Sequence, residues 1–114
     1  MATSELNAHP ERVYRIDRLT VPAAARGELL EAVRGTHQVL RRQAGFVSDR
    51  IVEKPAGPGV STIITIAEWE NASVIDTVRK AVEAYHREIG FDREAFFKRL
   101  GITIEIGLYS TVRD

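Results

Sequence analysis

Apolar and polar residues alternate along four stretches of the chain and recur at helical spacing along two longer ones. The alternating stretches are residues 13–21, 46–54, 61–69 and 102–112. They predict β-strands, because successive side chains of a strand point to opposite faces. Leu29, Val33 and Leu40 follow the spacing of one helix face within residues 23–43, and a second apolar stripe occupies residues 74–89. The predicted order is therefore strand, helix, strand, strand, helix, strand.

Turn and capping residues fit these boundaries. Pro22 is suited to the first turn of a helix, and Gly45 is placed to cap the end of that helix. Several breakers at residues 55–59 predict a hairpin between the second and third strands. Asn71 is a predicted N-cap of the second helix, which Gly90 should end. In the same way, Asp92 and Gly101 bracket a short third helix before the last strand.

This order of elements predicts an α+β fold. It is the ferredoxin-like βαββαβ plan, with an extra short helix before the last strand and a four-stranded antiparallel sheet that carries helices on one face. Residues 12–114 are predicted to form a single domain. Residues 1–11 are polar and are predicted to be a flexible tail.

Strand alternation also assigns side chains to the two faces of the sheet. Ile64, Ile66 and the apolar series of residues 102–108 are predicted to meet the helices. The opposite, helix-free face is predicted to carry Leu19, Phe46, Val52, Ile63, Trp69 and Tyr109, mixed with Arg15, Asp17, Ser48, Arg50 and Thr65. Exposing that much apolar surface costs roughly 25 cal/mol per Å². We therefore expect a homodimer in which a second copy packs sheet to sheet about a two-fold axis.

Trp69, the single tryptophan, is the most informative residue for function. On its face of the third strand it follows the small residues Ser61, Thr65 and Ala67. Small side chains that lead to one large ring tend to leave a hollow, which predicts a pocket beside the indole. The alternative is an ordinary core anchor, which is the commoner role of a lone aromatic residue.

Composition narrows the possible partners. The 114 residues contain 16 basic and 16 acidic side chains and no cysteine. A net charge of zero gives no field that would attract nucleic acid or an anionic membrane, and no apolar run approaches the ~20 residues of a membrane span. The lack of cysteine suits a cytoplasmic protein and excludes thiolate chemistry. We therefore expect a cytoplasmic protein that binds neither nucleic acid nor membranes.

The histidines do not predict a metal site, because His9, His37 and His86 have no short-range ligand spacing. His37 lies beside the apolar stripe of the first helix and is interpreted as a half-buried helix residue. His86 lies near the end of the second helix and is a candidate for the mouth of a pocket.

Three segments together carry a resemblance to a known family. Residues 16–21, residues 43–47, which contain Gly-Phe, and residues 66–70, which contain Trp69, resemble the antibiotic biosynthesis monooxygenase family of dimeric α/β barrels. Gly107-Leu-Tyr109 is also similar, so the resemblance covers about residues 12–112. It implies paired ferredoxin-like sheets with a pocket in each subunit. Some members oxidise aromatic polyketides or quinols with molecular oxygen and without metal or flavin, others degrade haem, and many have no established activity.

The resemblance transfers to individual positions only in part. Trp69 matches the pocket tryptophan of the family, and Asp17 and Thr65 stand where other members have a pocket or catalytic Asn. Arg79 stands where the haem-degrading members have their iron-ligating His, which argues against haem degradation. Ile75 replaces a pocket Tyr of some oxygenases.

These observations predict a cofactor-independent monooxygenase that acts on a small aromatic metabolite. Asp17 is the predicted base, Thr65 would orient an oxygen, and Trp69 would stack on the ring. The predicted substrate-binding residues are Arg15, Phe46, Ser48, Arg50, His86 and Tyr109. Two alternatives remain open. One is that Asp17 forms an ion pair with Arg15 and Arg50 that fixes dimer register, and the other is a non-catalytic barrel that binds or senses a small ligand.

Overall fold

Four strands and three α-helices form along residues 8–113, the part of the chain that the computed structural model describes. The strands are β1 (Val13–Pro22), β2 (Phe46–Pro55), β3 (Val60–Trp69) and β4 (Thr103–Ser110). The helices are α1 (Arg26–Leu40), α2 (Ile75–Glu88) and α3 (Arg93–Leu100), and short 3₁₀ turns precede α1 and α2. Residues 1–7 of the predicted tail lie outside the described residues. None of the helices in residues 8–113 is long and apolar enough to cross a membrane.

The sheet has the strand order β2-β3-β1-β4, and every neighbouring pair is antiparallel. Because β1 and β3 are the two central strands, their side chains lie in the middle of both faces of the sheet. Asp17 on β1 lies opposite Thr65 on β3 and Ile106 on β4, while Val13 lies opposite Trp69. This is the predicted ferredoxin-like βαββαβ arrangement with its extra short helix, so the α+β fold prediction is confirmed.

Two of the predicted N-cap residues, Asn71 and Asp92, cap the helical segments that follow them. The Asn71 side chain accepts a hydrogen bond from the Ser73 N–H at 2.9 Å, and Asp92 Oδ1 accepts one from the Ala95 N–H at 3.1 Å. The prediction that Gly45 caps the first helix is wrong. That helix ends at Leu40, because its last turn tightens into hydrogen bonds between residues three apart. Gly45 instead lies in the loop before β2 with a φ of +88°.

The predicted assignment of the sheet faces is wrong for β1 and β3. The odd-numbered residues of these strands meet the helices: Leu19, Ile63, Ala67 and Trp69 are almost completely buried. Arg15, Asp17, Thr65 and Phe46 lie on this helix-covered face too, rather than on the helix-free face. Alternation did not separate the faces because β3 is apolar on both, with Ile63 and Ala67 on one and Ile64 and Ile66 on the other. Only the β4 series of Ile104, Ile106 and Leu108 faces the helices as predicted.

The buried residues form two separate clusters on the helix-covered face. One cluster lies around Leu19, Val21, Leu29 and Ile63 and includes the inner faces of α1 and α3. The other lies around Leu40, Ala67, Trp69 and Val78, where the end of α1 meets α2. Between the clusters, the sheet presents the polar pair of Asp17 and Thr65. The core is therefore interrupted at the middle of the central strands.

The helix-free face is a mixture of apolar and polar side chains. Its members include Tyr14, Ile16, Ser48, Arg50, Val52, Ile64, Ile66, Glu68 and Tyr109. Glu68 accepts hydrogen bonds from Ser48 at 2.8 Å and from Arg12 at 3.0 Å, which satisfies its carboxylate at one end of the face. At the other positions, side chains such as Val52 and Tyr109 remain 45% and 49% exposed.

Candidate functional site

A cavity of about 530 Å³ lies between the sheet and the helices, at the interruption between the two core clusters. The sheet supplies one wall with Arg15, Asp17, Leu19, Thr65, Ala67, Trp69, Ile104, Ile106 and Leu108. The helices and the segment before α3 supply the other with Leu29, Ala32, Val33, Thr36, His37, Leu40, Ile75, Val78, Arg79, Val82, Glu83, His86, Phe91, Arg93, Phe96 and Phe97. The lining is mainly apolar, with a few polar groups concentrated on the middle of β1 and on α1 and α2. This size and lining are typical of a site for a small organic molecule.

Trp69 closes one end of the cavity. Its side chain is 1% exposed, and its ring meets Phe46 edge to face with the centroids 5.6 Å apart. Along the same face of β3, Ala67 and Thr65 are too small to fill the space in front of the indole. The hollow predicted from these small residues is therefore present, although on the helix-covered face of the sheet.

Arg15 and Asp17 form an ion pair on the cavity side of β1. Arg15 Nε donates to Asp17 Oδ1 at 2.8 Å, and the two residues share a face because they are two positions apart. Asp17 is also the β1 neighbour of Thr65, so the structure brings Arg15, Asp17, Thr65 and Trp69 to one wall. The alternative in which Arg50 joins this pair is wrong, because Arg50 lies on the opposite face of the sheet.

His37 and Asp49 form a second polar pair, which the sequence did not reveal. His37 Nδ1 lies 3.1 Å from Asp49 Oδ2, and Arg41 donates two hydrogen bonds to the same carboxylate, at 2.8 and 3.1 Å. His37 is 6% exposed and lines the cavity. The only signal in the sequence is a histidine beside the apolar stripe of α1, because its partner lies on the next strand.

In this pair, burial and the neighbouring charges shift the pKa values of the two side chains in opposite directions. Burial lowers the pKa of His37 below its ordinary value, although the carboxylates of Asp49 and Asp17 partly oppose that effect. Burial also raises the pKa of Asp49, but the hydrogen bonds and charges of Arg41 and His37 outweigh it and leave that pKa below its ordinary value. The pair is therefore a neutral imidazole next to an ionised carboxylate at neutral pH.

His86 lines the cavity from the last turn of α2, next to aromatic residues. Its Nε2 lies 3.3 Å from the Thr36 hydroxyl oxygen, and its ring lies 4.8 Å from that of Phe91, centroid to centroid. Burial lowers the pKa of His86, and the positive charge of Arg93 lowers it further. The structure therefore places His86 in the cavity lining. Its role in binding stays a prediction.

Four predicted substrate-binding residues do not line the cavity. Ser48, Arg50 and Tyr109 lie on the helix-free face, where Ser48 donates its hydroxyl to Glu68. Phe46 supports the Trp69 ring from behind. On β2, a bulge between Phe46 and Ser48 reverses the alternation, so that Phe46 faces the helices while Ser48 and Arg50 face away. Tyr109 lies beside Tyr14 on the face of β4 that points away from the cavity.

Among residues 8–113, no group of three or more His, Cys, Asp or Glu side chains is arranged to hold a metal ion. The cavity instead offers hydrogen-bonding and charged groups, namely the Arg15–Asp17 pair, the Thr65 hydroxyl and the His37 ring. Such groups can bind an organic molecule, orient one of its oxygens and accept a proton from it.

Comparison with known proteins finds solved structures that share this fold at low sequence identity. No family model matches the chain, and no curated protein matches it. A provisionally named monooxygenase from Shewanella loihica superposes with a TM-score of 0.64 at 17% identity, over 90% of this chain and 96% of the other. SnoaB, a cofactor-independent oxygenase from Streptomyces nogalater, gives 0.61 at 20% identity, over 91% and 96%.

A third similar structure carries the family name that the sequence segments suggested. It is a provisionally named antibiotic biosynthesis monooxygenase from Deinococcus radiodurans, with a TM-score of 0.58 at 20% identity over 90% of this chain and 94% of the other. At these identities the likeness establishes the fold and leaves the reaction open. The resemblance inferred from the sequence is thus confirmed at the level of the fold.

Proposed function

We propose that this chain is a divergent antibiotic biosynthesis monooxygenase that oxidises a small aromatic metabolite of the quinol or polyketide type without metal or flavin. The observation that carries the proposal is the mainly apolar cavity beside Trp69, which holds Arg15, Asp17 and Thr65 on one wall. Flat aromatic rings suit the apolar walls. A phenolic or keto oxygen on such a ring suits the small polar region on β1.

The reaction draws its electrons from the substrate. An anthrone-type substrate loses a proton to give a stabilised anion, which passes one electron to O₂, and the resulting radical pair combines to form a peroxide. Loss of water from the peroxide leaves a carbonyl, so the ring CH₂ and O₂ give C=O and H₂O. The protein has to bind the ring, accept the first proton and stabilise the anion.

The cavity residues divide these tasks. Trp69 and the apolar walls hold the ring, and the Thr65 hydroxyl donates to a substrate oxygen. The Arg15 guanidinium lines the same wall and would stabilise the negative charge that develops on that oxygen. Asp17, which was predicted as the base, is already bound by Arg15. His37 and His86 are further groups in the cavity lining that can accept a proton.

We further propose that the working unit is a cytoplasmic homodimer. Ile16, Ile64 and Ile66 lie side by side on the helix-free face, and no element of residues 8–113 packs over that face. A second copy packed on this face would remove that apolar surface from water. The cavity lies on the other face, so the dimer would support the sheet behind the site rather than complete its lining.

Aerobic incubation with a panel of anthrones and hydroquinones tests the proposal, with ¹⁸O₂ to trace the incorporated oxygen. The wild-type protein should consume O₂ and place one labelled oxygen in the product. Ala67→Leu fills the space in front of Trp69 and should abolish turnover, whereas Lys98→Ala, on the exposed side of α3, should not change it. Tight binding of these compounds without any O₂ consumption would instead support a ligand-binding protein.

A further inference from the structure

We propose that His37 is the catalytic proton acceptor of the cavity, with its Nε2 facing the substrate and Asp49 acting as the positioning residue behind it. This inference deepens the proposed function and relies on it for the identity of the reaction. The substrate class that it implies is an aromatic compound with an acidic O–H or C–H, such as a phenol or an anthrone. His37, rather than the predicted base Asp17, then accepts the proton that leaves the substrate.

The hydrogen bond between His37 and Asp49 fixes the tautomer of the His37 ring. An ionised carboxylate only accepts hydrogen bonds, so the 3.1 Å contact between Asp49 and His37 requires the proton on Nδ1. Arg41, bound to the same carboxylate through two nitrogens, keeps Asp49 ionised and fixed in place. In the neutral imidazole, the lone pair is then on Nε2.

The other ring nitrogen of His37, Nε2, has no hydrogen-bond partner among residues 8–113. Within residues 8–113, the His37 ring has its one hydrogen bond through Nδ1, and no side-chain nitrogen or oxygen that is sealed from solvent lacks a partner. Nε2 therefore reaches open space. Because His37 is 6% exposed and lines the cavity, that open space is the cavity.

Transfer of a substrate proton to His37 places each new charge near a group of opposite charge. The substrate O–H or C–H bond breaks, an N–H bond forms at Nε2, and the electron pair remains on the substrate as an enolate or phenolate. The new imidazolium lies next to Asp49 and within the field of Asp17, while the anion can face Arg15. Protonating Asp17 would instead leave the Arg15 guanidinium without its counter-ion.

Other charged groups around the cavity also act on His37. Arg41 opposes the protonation of the ring, whereas Asp49 and Asp17 favour it. Further along the lining, α2 supplies Arg79, Glu83 and His86, and α3 supplies Arg93. Arg79 is paired with Asp76 and Glu83 on its own helix, so its charge is largely balanced. Burial is the largest influence on His37 and lowers its pKa in spite of the two carboxylates, so the ring stays neutral at neutral pH, which is the state that a proton acceptor needs.

The first test needs neither a variant nor a substrate. ¹⁵N NMR of the histidine side chains should show that His37 of the wild-type protein is neutral at pH 7, with a protonated Nδ1 and an unprotonated Nε2. A His37 ring with the proton on Nε2, or one that is charged at pH 7, would overturn the inference.

The second test measures proton transfer without oxygen chemistry. Bound 4-nitrophenol should show more of its phenolate absorption band with the wild-type protein than with His37→Gln at the same pH and the same bound fraction. His9→Gln provides the matched control, since His9 is exposed near the N-terminus, and it should behave as wild type. Equal phenolate fractions in wild type and His37→Gln would contradict the assignment even if the protein is not an oxygenase.

The third test uses turnover. The kcat of the wild type should rise with pH through a pKa below the usual histidine value, and His37→Gln should lose that rise together with about 10²–10⁴-fold of kcat. Asp49→Asn should move the rise of kcat to a different pH rather than abolish it. If the wild type turns over but His37→Gln keeps both its rate and its pH profile, the inference fails while the proposed function stands. If the wild type does not turn over but shows a phenolate signal that depends on His37, the oxygenase proposal fails and the assignment of His37 as proton acceptor stands.

Discussion

The loop that enters β2 makes an unusually close contact with the start of α2, and this contact gives a quantitative prediction. Gly45 has a φ of +88°, and a Cβ added to it would lie 2.8 Å from Val74 Cγ1, 3.1 Å from Val74 Cγ2 and 3.3 Å from Val74 Cβ. Carbon atoms in ordinary contact lie about 3.5–4.0 Å apart. We therefore expect Gly45→Ala to be destabilising for two reasons, backbone conformation and overpacking.

Gly90→Ala separates the two contributions. Gly90 also has a positive φ, of +68°, but a Cβ there would meet nothing within 4 Å. A left-handed backbone costs about 1–2 kcal/mol for a residue with a Cβ. Alanine also restricts the unfolded chain, which offsets about 0.4–1 kcal/mol of that cost. Gly90→Ala should therefore lower the free energy of unfolding by about 1 kcal/mol. Gly45→Ala adds overpacking of about 1–3 kcal/mol and should lose about 2–4 kcal/mol. That is a large part of a total stability of roughly 5–15 kcal/mol.

Urea unfolding followed by the fluorescence of the single tryptophan provides the assay. Trp69 belongs to the same buried cluster as Val74, so its emission should also report any shift of the start of α2. In a Val74→Ala background, Gly45→Ala should cost about 1–3 kcal/mol less than in the wild type, because the two closest contacts, with Val74 Cγ1 and Cγ2, are removed. An unchanged cost in that background, or a cost no larger than that of Gly90→Ala, would refute the packing argument.

The remaining predictions concern the cavity and the helix-free face. Burial lowers the folded-state pKa of His37 from 6.5, so the unfolded state binds more protons, and urea melts should show that stability falls as the pH drops below that value. In His37→Gln, the free energy of unfolding should depend less on pH over the same range. Thr65→Val keeps the shape of the side chain, so calorimetry should find a stability change within about 1 kcal/mol, while kcat drops because the hydroxyl is lost. Ile66→Lys puts a charge in the middle of the helix-free face and should convert the proposed dimer to monomer in light scattering. A wild-type protein that is already monomeric would contradict that proposal.

The element order was predictable from the sequence because each element carries two independent signals. The strand from Val60 to Trp69 has alternation and a breaker-rich turn before it, and α3 has Asp92 at its start and Gly101 at its end. Such local signals do not depend on the rest of the fold. Their boundaries were accurate to within a few residues.

The faces of the sheet were not predictable in the same way. With apolar residues on both faces of β3, the choice depends on which face the helices cover, and that is decided by packing across the whole domain. On β2 only the assignment of Phe46 failed, because nothing in Phe46-Val-Ser48 marks the bulge that sends Phe46 and Ser48 to opposite faces. The His37–Asp49 pair was hidden because it joins a helix to a strand.

The position of the cavity follows from the same rule that builds the core. A half-buried carboxylate and a buried hydroxyl on adjacent strands cannot pack like Leu or Ile, so the row of Asp17 and Thr65 separates two apolar clusters that would otherwise merge. Voids in well-packed interiors are rarely larger than a water molecule, whereas this cavity measures about 530 Å³. A substitution such as Ala67→Leu would bury more apolar surface there and should raise stability while it removes the binding space. A chain of 114 residues that retains small and polar side chains at the centre of its core gives up stability that larger apolar residues would supply. Binding of a ligand in the cavity would explain why this stability is given up.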